Sequence, residues 1–376
     1  MKKITLAPII VLCIMLTFSL LCNASELQLN SASACLMETS TGKVLYEKNA
    51  DEKLEPASVT KIMSLILVFE AMDEGKFDLN TEVCASDHAS SMGGSQIWLE
   101  PGETMTVNEM LKAVVVASAN DCTVALAELV CGSEESFVAK MNERALELGM
   151  TNTHFSNSTG LPVENHYTTA RDIAIMTREL YKHTAVFDYT KIWMDTLRGG
   201  EFGITNTNKL VRFYNGATGM KTGYTSSALY CMSATAQRGN MSLIAAVMKS
   251  ESSDKRFADA KKLLDFGFAN YSLYTPVLPE LPKVKVKGAD VPFLEYEVLQ
   301  NNILIQKGKE SKITSETEIP PGVNAPVKKN EKLGKVMYYL DGVKIAELDV
   351  VSKNDVERLS FKDLFLLLLG RCITVR

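Results

Sequence analysis

The stretch "EPASVTKIMSLILVFEAM", residues 55–72, sets the frame for the rest of the chain. Ile62, Leu65, Ile66, Phe69 and Met72 recur at helical spacing, so the segment predicts a buried helix. Its entrance is unusual: a hydroxyl, Ser58, and an amine, Lys61, stand three residues apart and face the same side of a helix. A serine hydroxyl becomes a good nucleophile when a base takes its proton. A lysine serves as that base once desolvation or a neighbouring cation drives it toward the neutral amine. The apolar run after Lys61 supplies the desolvation. A helix start also favours the negative charge that develops in acyl transfer.

The Ser-x-x-Lys spacing occurs three times, at Ser40, Ser58 and Ser252. Ser40 lies in the turn "TSTGK" and Ser252 precedes a charged helix face, so these read as a turn and a cap. Ser58 alone opens an apolar helix. Two further groups stand downstream. "SAND" places Ser118 and Asn120 at a loop-to-helix junction, where Asn120 or Asp121 would serve as a helix cap if nothing else engaged it. "KTG", residues 221–223, opens a β-like run. Taken singly, each has a structural reading; S-x-x-K, S-x-N and K-T-G in that order form the combination that marks penicillin-binding proteins and class A β-lactamases.

Around the motifs, "SACLMETSTGKVLYEKNADE" (33–52) predicts a hairpin turning at Ser40-Thr41-Gly42. Residues 55–185 read as mostly helical, with a helix start near Asn108 and further helices over 134–149 and 169–183. From about 205, "ATGMKTGYT", "ALYCMSATAQ" and "MSLIAAVMKS" are β-like, the last two separated by the hairpin signal "RGN". "SDKRFADAKKLLDFGFANY" returns to helix. An antiparallel sheet covered by helices follows, an α/β (α+β) class. Seven of the eleven prolines fall between Pro276 and Pro326, and "KVKVK" alternates, which marks a separate small β domain. The tail "ERLSFKDLFLLLLGRCITVR" carries an apolar block flanked by Arg358, Lys362, Arg371 and Arg376. It is too short to span a bilayer and suits a cationic helix lying in the membrane interface; the alternative is a packed C-terminal helix.

At the other end, Lys2 and Lys3 precede an apolar run, and Cys22 and Ala24 fit a small-x-small cleavage site, so residues 1–24 read as a signal peptide, or failing cleavage as an anchor. Leu21 is too large to precede a lipidated cysteine. The domains expected are 1–24, an exported catalytic domain over 25–274, a β-rich domain over 275–355, and a membrane-associating helix over 356–376. A net charge of −5 gives no basic face for nucleic acid, and no Gly-rich phosphate loop appears. Eight cysteines include no CxxC, and the four histidines are scattered, so no metal or cofactor is expected. Buried free thiols are expected, Cys122 among them, with one disulfide left open.

The chain resembles the low-molecular-mass penicillin-binding proteins, serine D-alanyl-D-alanine carboxypeptidases. "PASVTKIM", "GGSQIWLEPGE", "SANDCTVALAE", "THFSNSTGLPVENHYTTARDIA", "GATGMKTGYTSSALYCMSATAQRGNM" and "RFADAKKLLDFGF" carry the resemblance over about residues 30–272. It implies the penicillin-binding-protein fold with a β-rich C-terminal extension. It implies that Ser58 forms the acyl-enzyme with a stem peptide ending in D-Ala-D-Ala, that Lys61 takes its proton, and that Ser118 relays a proton to the leaving amine. It also implies that Asn120 holds the substrate amide, that Lys221 and Thr222 attract the terminal carboxylate, that Gly223 admits the substrate strand, and that the amides of Ser58 and Tyr224 form the oxyanion hole. Arg256 is a weaker match, either a carboxylate anchor or a solvated helix arginine. β-Lactams would acylate Ser58. Thr218 stands where some members carry Asp. A class A β-lactamase is the alternative, though no E-x-x-L-N stretch lies between the second and third motifs. A non-catalytic penicillin sensor or wall-binding scaffold is the alternative of another class. Carboxypeptidase and endopeptidase activities remain open, as do oligomeric state and the role of the β domain.

Overall fold

The computed structural model describes residues 27–363 and 365. The chain divides into two compact units. One takes the chain up to Leu36 with Tyr46–Thr235 and Ala245–Leu264; the other takes Met37–Leu45, Ala236–Ile244 and Asp265 onward.

The expected hairpin is present as β1 (Ser33–Glu38) and β2 (Val44–Lys48). Its turn is closed by the Glu38 carboxylate, which accepts from the amides and hydroxyls of Ser40 and Thr41. Ser40 is therefore a turn residue, as its sequence context indicates. The β-like runs form β3 (Ala217–Thr225), β4 (Leu229–Arg238) and β5 (Met241–Ser250). The five-stranded sheet has the order β2-β1-β5-β4-β3. Ala32 N bonds to Met248 O and Thr39 N to Ser242 O, so β1 and β5 run antiparallel. All of β1 and nearly all of β5 are buried without alternation, which requires cover on both faces. β3, which carries the K-T-G residues, is an edge strand.

The first unit's helices are α1 (Lys61–Asp73), α2 (Val107–Lys112), α3 (Asn120–Cys131), α4 (Glu134–Glu147) and α5 (Ala170–Leu180). Every residue of α1 from Lys61 to Phe69 is buried, and the helix packs against α3, α4 and α5. α6 (Ser253–Asn270) follows β5, and Ser252 Oγ accepts from Lys255 N, the cap expected of it.

Three local readings are corrected. Ser58 does not lie in the first α-helical turn: Ala57–Thr60 is a 3-10 turn and the α-helix begins at Lys61. The start near Asn108 lies earlier, because Thr106 caps α2 in a reciprocal box with Glu109. Neither Asn120 nor Asp121 caps α3; the capping position is Ala119, without a side-chain bond, because both polar side chains are engaged elsewhere.

In the second unit β6 (Tyr271–Tyr274) pairs with β9 (Ile303–Gln306), β7 (Lys285–Lys287) with β11 (Gly322–Asn324), and β8 (Tyr296–Val298), β13 (Val343–Ser352), β12 (Lys332–Leu340) and β10 (Ile313–Glu318) form one sheet in that order. Val336, Tyr338, Leu348 and Val350 form its core. The unit is β-rich, as the proline and alternation pattern indicate. Val356 still pairs with Val327, and the terminal helix starts at Phe361, later than position 356. The signal peptide and most of the membrane-seeking tail lie outside the described residues. No helix among the described residues is long and apolar enough to cross a membrane.

One glycine holds the turn at residue 57. Ala57 is buried with φ +49, a left-handed conformation costly for alanine. Gly160, itself at φ +85, lies against it: a Cβ there would stand 1.9 Å from Ala57 O. Gly149 has φ +77 with open space around it. Gly149→Ala should therefore cost about 1 kcal/mol of stability from backbone strain alone. Gly160→Ala should cost several times more or prevent folding, as measured by thermal unfolding. Equal losses would show that the approach to residue 57 carries no special load.

Candidate active site

The 3-10 turn at Ala57–Thr60 lifts Ser58 off the front of α1 while Lys61 turns inward. Lys61 is 0% exposed. Its Nζ lies 3.1 Å from Ser58 Oγ, 2.5 Å from Asn120 Oδ1 and 2.8 Å from the Thr159 carbonyl oxygen. The last two are oxygens that only accept. A neutral amine has two protons and one lone pair. With the protons spent on Asn120 and Thr159, the lone pair is left facing the serine hydroxyl, the arrangement general-base activation needs. Burial drives the Lys61 ammonium well below its ordinary range; the Lys221 charge adds to that, and Asp121 opposes it.

Lys221 is the second buried amine, 2% exposed, on edge strand β3. Its Nζ donates to Ser118 Oγ at 2.7 Å and to the Thr222 carbonyl at 3.1 Å. Burial first, and the Arg256 guanidinium second, bring Lys221 down to about 7. Ser118 follows a π-helical segment, Ala113–Ala117, in left-handed backbone geometry, φ +64. That break re-aims the chain between α2 and α3, the kind of irregularity that concentrates at functional sites. Because Lys221 fills a lone pair of Ser118, the Ser118 proton is free to be given elsewhere. Asn120 donates from Nδ2 to Gly93 O at 2.6 Å. Thr222 Oγ1 donates to Thr207 Oγ1.

Gly223 is needed for approach. A Cβ there would lie 2.8 Å from Pro56 O and 3.0 Å from Ser58 N. Its absence lets β3 pass against the turn that carries Ser58. Tyr224 is exposed, and its ring packs on Tyr230 with centroids 4.4 Å apart.

Ser58, Lys61 and Asn120 thus form one hydrogen-bonded group and Ser118, Lys221 and Thr222 a second, and the charge of Lys221 acting on Lys61 couples the two. Arg256 reaches them indirectly. It is buried, which removes the solvated-arginine reading. It donates from Nη1 to the carbonyls of Gly223 and Cys231, and its guanidinium lies over Phe257 and Tyr230. Its Nε is buried without a partner, and burial brings it down to about 10. Among the described residues Cys35, Cys84, Cys122, Cys131 and Cys231 are all free; Cys122 is buried as expected, whereas Cys84 is exposed.

Sequence reading missed the supporting layer. The Thr159 and Gly93 carbonyls leave no side-chain signal. Ser158 is fixed by Glu134, which accepts from its amide and hydroxyl, and Ser158 O in turn accepts from Ser64 of α1. His166 Nδ1 accepts from Ser156 N, so its Nε2 carries the proton and donates to Thr60 Oγ1 at 2.8 Å. Burial lowers His166 to about 4 and keeps it neutral. It bonds the neighbour of Lys61 rather than Ser58, so a serine–histidine triad is not the arrangement here.

The family description "D-alanyl-D-alanine carboxypeptidase" matches residues 21–252, and "Penicillin-binding protein 5, C-terminal domain" matches residues 280–358. The chain belongs to the D-alanyl-D-alanine carboxypeptidase family. It is 45% identical over 345 residues to the D-alanyl-D-alanine carboxypeptidase DacF of Bacillus subtilis, covering 90% of this chain and 88% of the relative. Penicillin-binding protein 5 from Haemophilus influenzae superposes with a TM-score of 0.79 at 31% identity, over 88% of this chain and 98% of that one. Penicillin-binding protein D2 from Listeria monocytogenes, solved in an ampicillin-bound form, gives a TM-score of 0.59 at 30% identity over 64% of this chain and 99% of that one.

Two buried amines set opposite limits on pH. In the role expected of it from the sequence, Lys61 is neutral when it accepts the Ser58 proton, so the acylation rate should fall as acid charges it. In the role expected of it, Lys221 attracts an anionic substrate only while charged, so KM should rise as pH passes upward through about 7. A bell-shaped kcat/KM is expected, its limbs belonging to the coupled pair. Lys221→Arg should push the alkaline limb upward; an unmoved limb would remove Lys221 from that role.

Proposed function

We propose that this protein is a serine D-alanyl-D-alanine carboxypeptidase that removes the terminal D-alanine from peptidoglycan stem peptides and is acylated by β-lactams at Ser58. The observation that carries the reading is Lys61: a fully buried amine with two carbonyl acceptors and its remaining valence directed at the Ser58 hydroxyl. Family membership supports the substrate class.

Lys61 takes the Ser58 proton and Oγ attacks the carbonyl between the two D-alanines. The oxyanion is held by the amides of Ser58 and Tyr224, which the missing Gly223 side chain lets approach one another. As the C–N bond breaks, Ser118 gives its proton to the leaving nitrogen; Lys61, now an ammonium, makes good that loss. Lys221 and Thr222 hold the substrate's terminal carboxylate. Asn120 keeps one free donor position and one free lone pair beyond its bonds to Gly93 and Lys61, enough to meet a substrate amide. Arg256 acts from behind, tying α6 to the backbone of Gly223 and Cys231 and adding positive charge beside Lys221. Water then cleaves the acyl-enzyme.

No carboxylate hydrogen-bonds to Ser58, Lys61, Ser118 or Lys221 among the described residues. A penicilloyl ester therefore lacks the carboxylate that a class A β-lactamase uses to activate water, which favours a penicillin-binding peptidase over a β-lactamase. The catalytic domain is taken as residues 25–274, the β-rich domain as 275–355, and the tail as 356–376; the family matches at 21–252 and 280–358 support this division. The basic and apolar start of the chain supports export. The tail's cationic and apolar pattern, with Phe361 and Phe365 exposed, supports contact with a membrane surface.

Mass spectrometry after incubation with a pentapeptide ending in two D-alanines should show loss of one alanine, and incubation with penicillin should add one drug mass to the protein. Ser58→Ala should abolish both. Release of alanine by Ser58→Ala would defeat the nucleophile assignment. Penicillin labelling of the wild type without alanine release would point to a sensor.

A further inference from the structure

The loop 93–103 contains a tryptophan that folding should have hidden. Trp98 is 64% exposed, between Ile97 at 0% and Leu99 at 4%. Its backbone is left-handed, φ +56, an uncommon and costly state for a bulky aromatic residue. The cause is Asp121, buried beside Asn120. One carboxylate oxygen, Oδ2, accepts from Ile97 N at 3.0 Å and Leu99 N at 3.1 Å, pinning both neighbours inward and turning the indole out. Gln96 takes the indole N–H at 3.1 Å when its amide is oriented to satisfy both ends, so the ring's polar edge is tied down. Phe202 meets the indole edge-on at 5.9 Å, and Arg198 lies over Phe202 at 5.4 Å. Arg198 is itself neutralised by Glu103 and bonded to the carbonyls of Ile97 and Trp98. Ile97, Trp98, Glu100, Glu103, Arg198 and Phe202 line a cleft of about 740 Å³.

We propose that this cleft is a saccharide subsite that holds the N-acetylated sugar carrying the stem peptide, with one pyranose face stacked on Trp98. The inference rests on the carboxypeptidase reading. A rigid, oriented and exposed indole offers an apolar face at little conformational cost. A pyranose has a matching C–H face, and its rim hydroxyls need acceptors, which Glu100 supplies. The charge decides against other occupants of the same substrate. With Arg198 consumed by Glu103, Glu100 leaves the cleft net negative, unsuited to the carboxylates of a stem peptide and suited to a neutral amino sugar. Position agrees. The loop is bonded to the second motif through Asp121, through Asn120 N to Ser95 O at 2.7 Å, and through Asn120 Nδ2 to Gly93 O. An extended pentapeptide reaches about 17 Å, so its end can react at Ser58 while the sugar lies outside the groove.

The test uses full-length protein with Trp193→Phe, which leaves Trp98 as the single tryptophan. Titration with the N-acetylglucosamine–N-acetylmuramic acid disaccharide, its lactyl carboxyl capped as the amide so that the sugar is neutral, should give a saturable change in emission, and trilysine should give none. In parallel, Trp98→Ala should lower kcat/KM for disaccharide-linked pentapeptide about fivefold more than for free pentapeptide, and Trp98→Phe should retain most of that difference. No saturable response to the disaccharide, a response to trilysine instead, or equal losses on both substrates would overturn the subsite. The titration does not depend on turnover, so absence of alanine release would strike the carboxypeptidase reading while the emission change still judged the cleft.

Discussion

One constraint organises the proposed catalytic unit: for Lys61 to serve as the base, an amine must lie in the apolar interior, stay neutral, and present its lone pair to a hydroxyl. A charged lysine in that place would bear a desolvation cost of several kcal/mol. The fold meets the constraint by surrounding Lys61 with buried helix residues, placing Lys221 near enough to disfavour its charge, and offering two carbonyl oxygens that take its protons. Each device needs distant chain segments. Asn120 comes from the start of α3, Thr159 from the loop after α4, and Lys221 from the edge of the sheet. The left-handed turn at Ala57 and the two side-chain-free approaches at Gly160 and Gly223 then become the backbone cost of fitting these segments around one serine.

Charge is layered around that centre. Arg256 is buried behind β3, holds the carbonyls of Gly223 and Cys231, and lowers Lys221; Lys221 in turn lowers Lys61. Asp121 works in the opposite direction, raising Lys61 while its carboxylate builds the loop that bears Trp98. The same residue thus joins the electrostatics of the base to the shape of the outer cleft. His166 and Glu134 form a more remote support, one through Thr60 and one through Ser158, and neither touches Ser58.

Much of this was legible in the chain itself. The apolar period after Lys61, the order of the three motifs, and the alternating and continuous β runs marked the helix, the site and the sheet. The motif residues are readable because it is their side chains that meet in the site. What escaped sequence reading is backbone: the carbonyls of Thr159 and Gly93, the 3-10 turn at Ser58, and the π segment before Ser118. Capping propensity misled at Asn120 and Asp121, because tertiary partners claimed both side chains before the helix end could. Arg256 was ambiguous since a helix arginine is usually solvated; only the packing of α6 against β3 and β4 buries it.

The central claim is the protonation state of Lys61, and it can be read directly. Nitrogen-15 NMR of protein labelled at the lysine side chain, with Lys61→Met identifying the signal by difference, reports the charge of that one amine as pH is varied. A neutral amine is expected in the free enzyme at pH 7.5, gaining its proton only on acidification. An ammonium signal that persists at Lys61 through pH 9 would contradict it.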